Sequence, residues 1–243
     1  MKKQVMNLLS MALMALVLFS CGGGSGKKGS GGKSLFTPVS SGHPYEMLVV
    51  IDKDMWERPA GRALFNALDM DVPGLPQPER SFRISQIIPD KFERGFRIFR
   101  NIIDVDIQPI YTQPKLKYSR DSYASPQMIM TIQAPDEASF EEFVNQNKQV
   151  IVDFFTKAEM NRQINLLKEK YSDVVATKVG SMFGCDVRVP VGFERYKQGK
   201  DFFWTSEDRP GSEVSMNFVV YSYPYTDKNT FTRDYFIHKR DSV

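Results

Sequence analysis

Three carboxylate side chains, Asp52, Asp54 and Glu57, cluster directly after an apolar run of residues and beside Trp56. Carboxylates that are held close together can act as general acid and general base in hydrolysis, and catalytic residues often follow a strand. The same pattern is typical of acidic residues at the start of a helix, where the helix dipole favours negative charge. We rank the helix-start interpretation first, because the sequence does not give the distance between the carboxyl groups on which a hydrolytic mechanism depends.

Aromatic residues near the C-terminus form a second candidate site. Trp204 follows two phenylalanines, and Tyr221, Tyr223 and Tyr225 alternate with other residues, so that on a strand the three phenols would point the same way. Such rings can stack on sugars or form the centre of an interface. The alternative is a sheet covered on both sides with tyrosine tips in solvent, which we favour. If the chain has a binding face, this strand is the first candidate.

Other kinds of reactive site lack a recognisable pattern in the sequence. Neither His43 nor His238 has a Cys, Asp or Glu at metal-ligand spacing, so no metal site is predicted. Ser181 is displaced by one position from the serine of a nucleophile elbow, and no glycine-rich phosphate loop is present. The apolar surroundings of Cys185 predict a buried structural thiol rather than a nucleophile. We therefore predict no catalytic residue and no cofactor.

The N-terminal residues 1–20 have the three parts of a secretory signal. Lys2 and Lys3 precede the apolar run from Leu8 to Phe19. That run is shorter than the roughly 20 apolar residues that cross a bilayer. It ends in Leu18-Phe-Ser-Cys21, which resembles the lipobox of bacterial lipoproteins, in which the cysteine thiol receives a diacylglycerol. We predict a signal peptide over 1–20 and a lipid on Cys21, with an ordinary signal peptide or an uncleaved anchor as the alternatives.

Residues 21–34 predict a flexible tether between the lipid and the rest of the chain. After Cys21 the segment consists of Gly, Ser and Lys, so it has no apolar side chain to bury. Gly22 is not an aspartate, and by resemblance to known sorting rules this favours passage to the outer membrane. We expect attachment to that membrane through the lipid on Cys21, with the domain on the periplasmic face.

Residues 35–243 are long enough to form a globular domain with a sizeable core. The whole chain has a net charge of +3, with 32 basic and 29 acidic residues. Five of the basic residues and none of the acidic ones lie in 1–34, which leaves 27 basic and 29 acidic residues in the domain, or −2. This balance gives no electrostatic indication of nucleic-acid binding.

The hydrophobic pattern of the domain predicts an α+β fold with a mixed or antiparallel sheet and a long helical segment in the middle. Strands are predicted at 45–52, 82–88, 98–107, 127–133, 187–191, 202–205 and 214–223, and a loop at 111–123. Helices are predicted at 59–68, 89–96, 135 to about 158, about 161 to 183, and from 229 onward. The break near 158–161 is inferred from a change in phase of the apolar stripe. The pattern leaves open whether the domain consists of two related lobes. The last helical pattern reaches Val243 without a cap, which indicates C-terminal truncation.

Several segments resemble a family of uncharacterised bacterial lipoproteins that is known only as a domain of unknown function. The resemblance is carried by the lipobox and by the segments Pro44-Tyr-Glu-Met-Leu-Val-Val, Gly74-Leu-Pro-Gln-Pro-Glu79, Arg100-Asn-Ile-Ile103 and Phe203-Trp204. It covers most of residues 35–243. It supports the lipoprotein prediction and implies no activity, substrate or catalytic residue.

Three functions fit these observations. The first is a non-catalytic envelope lipoprotein that binds a protein, glycan or lipid partner. The second is a structural subunit of a larger assembly, and the third is an envelope hydrolase that uses carboxylates such as Asp52, Asp54 or Glu57. We rank them in that order, because the sequence shows no catalytic constellation.

Overall fold

The computed structural model of the protein describes residues 37–207 and 215–242. The predicted signal peptide and tether, with Cys21, lie outside these residues. The strands of the described part are β1 (Glu46–Val50), β2 (Arg83–Ile87), β3 (Asn101–Ile107), β4 (Lys115–Arg120), β5 (Met128–Ala134), β6 (Arg195–Gln198), β7 (Phe202–Glu207) and β8 (Met216–Tyr221). The α-helices are α1 (Lys53–Glu57), α2 (Pro59–Leu68), α3 (Arg94–Arg97), α4 (Glu137–Gln146), α5 (Lys148–Glu169), α6 (Asp173–Phe183) and α7 (Arg233–Asp241).

The larger of two sheets has five strands in the order β2-β1-β3-β5-β4. Strands β1, β2, β3 and β5 run parallel, and β4 pairs antiparallel with β5. Strand β3 is therefore central, and its Asp104 lies between Val50 of β1 and Thr131 of β5. The mixed sheet and the helices packed on it confirm the predicted α+β class.

The two faces of this sheet are covered in different ways. One face carries apolar side chains from β1, β3 and β5 and packs with α2, α4 and α5 into the main core, which includes Met47, Val49, Ile103, Met130 and Phe155. The other face carries the buried residues Leu48, Val50, Ile87, Ile102 and Ile129. The partly buried rings of Phe92 and Phe99, in the connection between β2 and β3, pack against this second face.

The smaller sheet is antiparallel, in the order β6-β7-β8. Its inner face and α6 share a separate core of Val175, Val179, Val189, Phe193 and Phe203. Helix α6 begins at Ser172, whose hydroxyl accepts from the backbone N–H of Val175. It ends at Gly184, which has the left-handed φ of 68° that a glycine C-cap adopts, as the sequence predicts.

Four sequence predictions about local structure are wrong. Helix α5 continues through 158–161, and the helical segment is divided at Asn147 and at 170–172 instead. The predicted loop at 111–123 contains strand β4, and the predicted strand at 187–191 is irregular while β6 forms a few residues later. Cys185 is exposed rather than buried, because it follows the C-cap of α6 and does not enter the core.

No helix among the described residues combines the length and apolar character that crossing a bilayer requires.

Candidate functional site

The predicted carboxylates lie at the start of α1. Asp52 is the N-cap, and its Oδ1 accepts from the backbone N–H of Asp54 at 2.9 Å and of Met55 at 3.1 Å. Asp52, Asp54 and Glu57 are all exposed. The structure thus gives Asp52 a helix-capping contact and leaves Asp54 and Glu57 at the surface.

A different pair of carboxylates lies on the central strand of the larger sheet. Asp104 and Asp106 of β3 are two residues apart and therefore project from the same face. Asp106 accepts from the Tyr111 hydroxyl at 2.5 Å, from Gln133 Nε2 at 2.7 Å and from Gln108 Nε2 at 2.7 Å. The pair lies toward the carboxyl end of the parallel strands, where ligands of open α/β sheets commonly bind.

The surroundings of the two carboxylates move their pKa values in opposite directions. Burial raises the pKa of Asp104 above its usual value, and the negative charge of Asp106 adds to this. For Asp106, partial burial alone would raise the pKa, but the hydrogen bonds from Tyr111, Gln133 and Gln108 lower it. A pair of this kind can supply one carboxyl group that holds a proton more readily and one that stays ionised.

A buried network of charged side chains joins α5 to the start of β3. Glu159 is 0 % exposed, and it accepts from Arg100 Nη2, Arg162 Nη1 and Asn101 Nδ2, each at 2.7 Å. Arg162 is 8 % exposed and also donates to the Asn101 side chain and to the Arg100 carbonyl. Two guanidinium groups therefore share one carboxylate in the interior.

A pocket of about 300 Å³ adjoins this network between α5 and the β4–β5 hairpin. The basic side chains in its lining are Arg120, Lys157 and Arg162, and the amide side chains are Gln127, Asn161 and Asn165. Pro126, Met128, Phe154 and Ala158 provide an apolar wall. The ring of Phe154 also contacts Tyr118, with 4.7 Å between centroids.

The predicted aromatic face is partly assembled on the outer side of the smaller sheet. Phe202 pairs with Tyr221 and Trp204 pairs with Val219, so these residues share one face. The indole N–H of Trp204 donates to Asn217 Oδ1 at 3.1 Å, and Lys197 Nζ lies 5.7 Å from the Trp204 ring. The expectation that Tyr221, Tyr223 and Tyr225 continue one strand is wrong, because β8 ends at Tyr221.

The tyrosines instead join a series of ring contacts that extends onto α7. Tyr221 contacts Tyr223 at 5.9 Å, Tyr223 contacts Tyr235 at 6.2 Å, and Tyr235 contacts Phe236 at 6.5 Å. Phe236 contacts Phe231 at 6.2 Å, and Phe231 contacts Tyr225 at 5.3 Å. We call the six rings of Tyr221, Tyr223, Tyr225, Phe231, Tyr235 and Phe236 the aromatic ladder.

The sequence matches two families, which divide the chain where the structure changes from one core to the other. Residues 40–168, more than half of the 243, match the family described as Domain of unknown function (DUF8532). The chain belongs to the DUF8532 family. Residues 172–243 are similar to a second family, Domain of unknown function (DUF4837). The DUF8532 match contains the larger sheet through nearly all of α5, and the second match begins at the N-cap of α6.

Comparison with curated proteins and with solved structures gives no activity for the chain. No curated protein matches the chain, and no solved structure matches it. The interpretation of the site therefore depends on its own geometry.

Sequence reasoning missed two groups of residues, the Asp104–Asp106 pair and the buried network of Glu159 and Arg162. Asp104 and Asp106 could have been noticed as two acids on one face of an otherwise apolar strand. Glu159 and Arg162 carried a signal as well, since they interrupt the apolar stripe of the helix.

Within the described parts of the chain, no group of three or more His, Cys, Asp or Glu side chains is placed to hold a metal ion.

Proposed function

We propose that the protein is a lipid-anchored envelope lipoprotein that acts as a non-catalytic binding module, with the aromatic ladder as its docking surface. The observation that carries this proposal is the exposure of connected rings. Phe231 is 70 % exposed, Tyr225 is 61 % exposed and Phe236 is 49 % exposed. Scattered surface apolar residues need no explanation, but connected exposed aromatic rings are typical of interaction surfaces.

The ladder favours a protein partner over a glycan. The two phenylalanines at its exposed end have no hydroxyl group to hydrogen bond to a sugar. Their rings are inclined at 64° to each other, and the Tyr235 and Phe236 rings at 82°, so this end presents no flat platform for a sugar ring. Inclined rings of this kind fit between the aliphatic or aromatic side chains of another protein. Lys239 Nζ, 4.9 Å from the Tyr223 ring, adds positive charge beside the ladder.

A photocrosslinking amino acid at position 231 tests the docking surface in cells. We expect it to form an adduct with one envelope protein, and we expect the same substitution at Ile110, which is 79 % exposed but outside the ladder, to form none. Equal adducts at both positions would show nonspecific collision. The absence of adducts at 225, 231 and 236 would refute a protein-docking role.

The lipid anchor is supported by the order of charged, apolar and small residues that ends at Cys21. We propose that the lipid holds the domain at the periplasmic face of the outer membrane. Cells that are grown with an alkyne-labelled fatty acid should label the chain, and Cys21→Ser should remove the label while Cys185→Ser retains it. Label that persists in Cys21→Ser would contradict the assignment. Membrane separation by density then tests the location.

The carboxylate hydrolase stays as a second candidate, because Asp104 and Asp106 are a pair with oppositely displaced pKa values. Hydrolysis of isolated envelope glycan by the purified chain would support it if Asp104→Asn and Asp106→Asn both abolish the activity. Activity that is lost in Asp52→Asn instead would assign the chemistry to the carboxylates at the start of α1.

A further inference from the structure

We propose that the pocket between α5 and the β4–β5 hairpin is a binding site for a phosphomonoester group, with the apolar wall accommodating the ligand's organic part. This site is separate from the aromatic ladder and does not depend on the docking proposal. The inference starts from the charges that meet at the pocket.

The charged side chains around the pocket do not balance. Arg120, Lys157 and Arg162 line it, and Arg100 lies behind it in the buried network. Two acidic side chains contact these groups: Glu159, which is bound by Arg100 and Arg162, and Asp121, whose Oδ2 is 3.7 Å from Arg120 Nε. These six side chains carry four positive charges and two negative ones.

Arg120 and Lys157 are exposed to solvent, so the excess of positive charge is unfavourable mainly at Arg162, which is buried, and at Arg100, which is largely buried. Taking a guanidinium group out of water costs several kcal/mol unless a counter-charge compensates for it. Glu159 can compensate for one of the two arginines that contact it. Burial lowers the pKa of Arg162, and the positive charge of Arg100 acts in the same direction, while Glu159 and Asp121 oppose it. A dianion in the pocket would complete the charge balance.

The hydrogen-bond donors and the volume of the pocket indicate the chemical class of its ligand. A phosphomonoester near neutral pH carries about −1.5 to −2 charge and three acceptor oxygens. Arginine is suited to phosphate oxygens, and the amides of Asn161 and Asn165 are further donors at the pocket. The volume of about 300 Å³ is at the lower limit for small-molecule sites. The side chains of Phe154 and Met128 would contact a short alkyl or ring substituent.

Calorimetric titration of the full chain in neutral detergent tests the site. The probes are inorganic phosphate, hexyl phosphate, dihexanoyl phosphatidic acid and, as an uncharged control, hexanol. We expect hexyl phosphate to bind and hexanol not to bind. The variant Arg120→Gln/Lys157→Gln should weaken binding of hexyl phosphate by at least about tenfold, because it removes two charged hydrogen-bond donors from the phosphate site. Both side chains are exposed, so the variant should fold.

The matched control is Arg94→Gln/Lys170→Gln, which removes the same charges from exposed positions outside the pocket lining. Binding of hexyl phosphate that is retained in the control and lost in the pocket variant supports the site. Tighter binding of dihexanoyl phosphatidic acid than of hexyl phosphate assigns it to a lipid headgroup, and the reverse assigns it to a soluble phosphate ester. Equal weakening in both variants, or no binding of any phosphate probe at millimolar concentration, overturns the proposal.

Discussion

Glu159 is a fully buried carboxylate that contacts two arginine side chains. It compensates for Arg100 and Arg162 at once and also accepts a hydrogen bond from Asn101. Helix α5 is thereby fixed to the first residue of the central strand. A buried ion pair adds little stability relative to an apolar pair, but the loss of one member leaves the other charges uncompensated.

Glu159→Gln should therefore destabilise the protein by about 3–5 kcal/mol, since it leaves the buried Arg162 and the partly buried Arg100 next to a neutral amide. Urea unfolding monitored by circular dichroism measures the change. Glu169→Gln, at the exposed end of the same helix, should change the free energy of unfolding by less than about 0.5 kcal/mol. Similar values for the two variants would show that the buried network is not electrostatically important.

Asp104→Asn should stabilise the protein at pH 7. The raised pKa of Asp104 means that the folded state binds the proton more tightly than the unfolded state does, so ionised Asp104 is unfavourable at pH 7. As pH falls through the raised folded-state pKa toward the usual aspartate pKa of about 3.8, this penalty disappears. The melting temperature of the variant should exceed that of the parent at pH 7 and converge with it below about pH 3.8.

The control for this measurement is Asp90→Asn, at an exposed position in a short 3₁₀ helix. It should give no comparable gain at pH 7. A stabilisation by Asp104→Asn that is independent of pH would exclude a titration effect and point to packing instead.

At the scale of elements, the sequence predicted the strands and helices whose apolar pattern is regular. Strands β1, β3 and β5 and helix α2 were found because they are apolar runs or stripes with clear ends. Strand β4 was missed because its sequence, Lys115 to Arg120, is mostly polar and exposed, as an edge strand tolerates. The break predicted near Ala158 was wrong because α5 buries Glu159 and Arg162 where an apolar stripe would continue.

Gly61 of α2 packs directly against the backbone of α1. A Cβ atom at this position would lie 2.4 Å from the Met55 carbonyl oxygen and 2.5 Å from Trp56 Cα, both of them backbone atoms. Alanine normally stabilises a helix relative to glycine by about 0.5–1 kcal/mol. Here we expect Gly61→Ala to destabilise the protein by at least about 2 kcal/mol, because the two helices must move apart.

Gly95→Ala provides the comparison for this element. A Cβ atom there would meet no atom within 4 Å, so we expect a neutral or slightly stabilising effect in thermal unfolding. If the two alanine variants had equal stability, the close packing of α1 on α2 would be refuted.

At the scale of the molecule, the residues from 37 onward contain two sheets with separate cores. The larger core is built by residues between Met47 and Phe155, and the smaller by residues between Val175 and Phe203. The two family matches divide at nearly the same place, between 168 and 172. Each core therefore corresponds to its own stretch of sequence.

Phe203→Ala should destabilise the smaller sheet selectively. Phe203 is fully buried and stacks on Tyr196 at 5.8 Å, and loss of a buried phenylalanine costs about 3–5 kcal/mol. In hydrogen exchange measured by mass spectrometry, amides of β6 and β7 should lose protection while those of β1, β3 and β5 keep it. Met130→Ala, in the larger core, should produce the opposite pattern. A uniform loss in both variants would show a single cooperative unit.

The sequence could indicate the candidate site only where the relevant residues are neighbours in the chain. Trp204 and Tyr221 were recognised because strand alternation places side chains predictably. Tyr235 and Phe231 joined them through the position of α7, which no local pattern encodes. The pocket at Arg162 likewise needed the packing of α5 on the β4–β5 hairpin, which brings Arg120 and Lys157 together from segments far apart in the sequence.

The two outer strands of the larger sheet carry exposed basic side chains, and these affect how separate copies of the chain meet. An unpaired strand edge is a template on which another molecule can add a strand, and fibrous aggregates grow in this way. Strand β4 presents Lys115, Lys117 and Arg120 along one edge, and β2 begins with the exposed Arg83 at the other. Two copies that approached edge to edge would bring like charges together. The charged residues that made β4 hard to recognise in the sequence therefore also oppose strand pairing between neighbouring molecules.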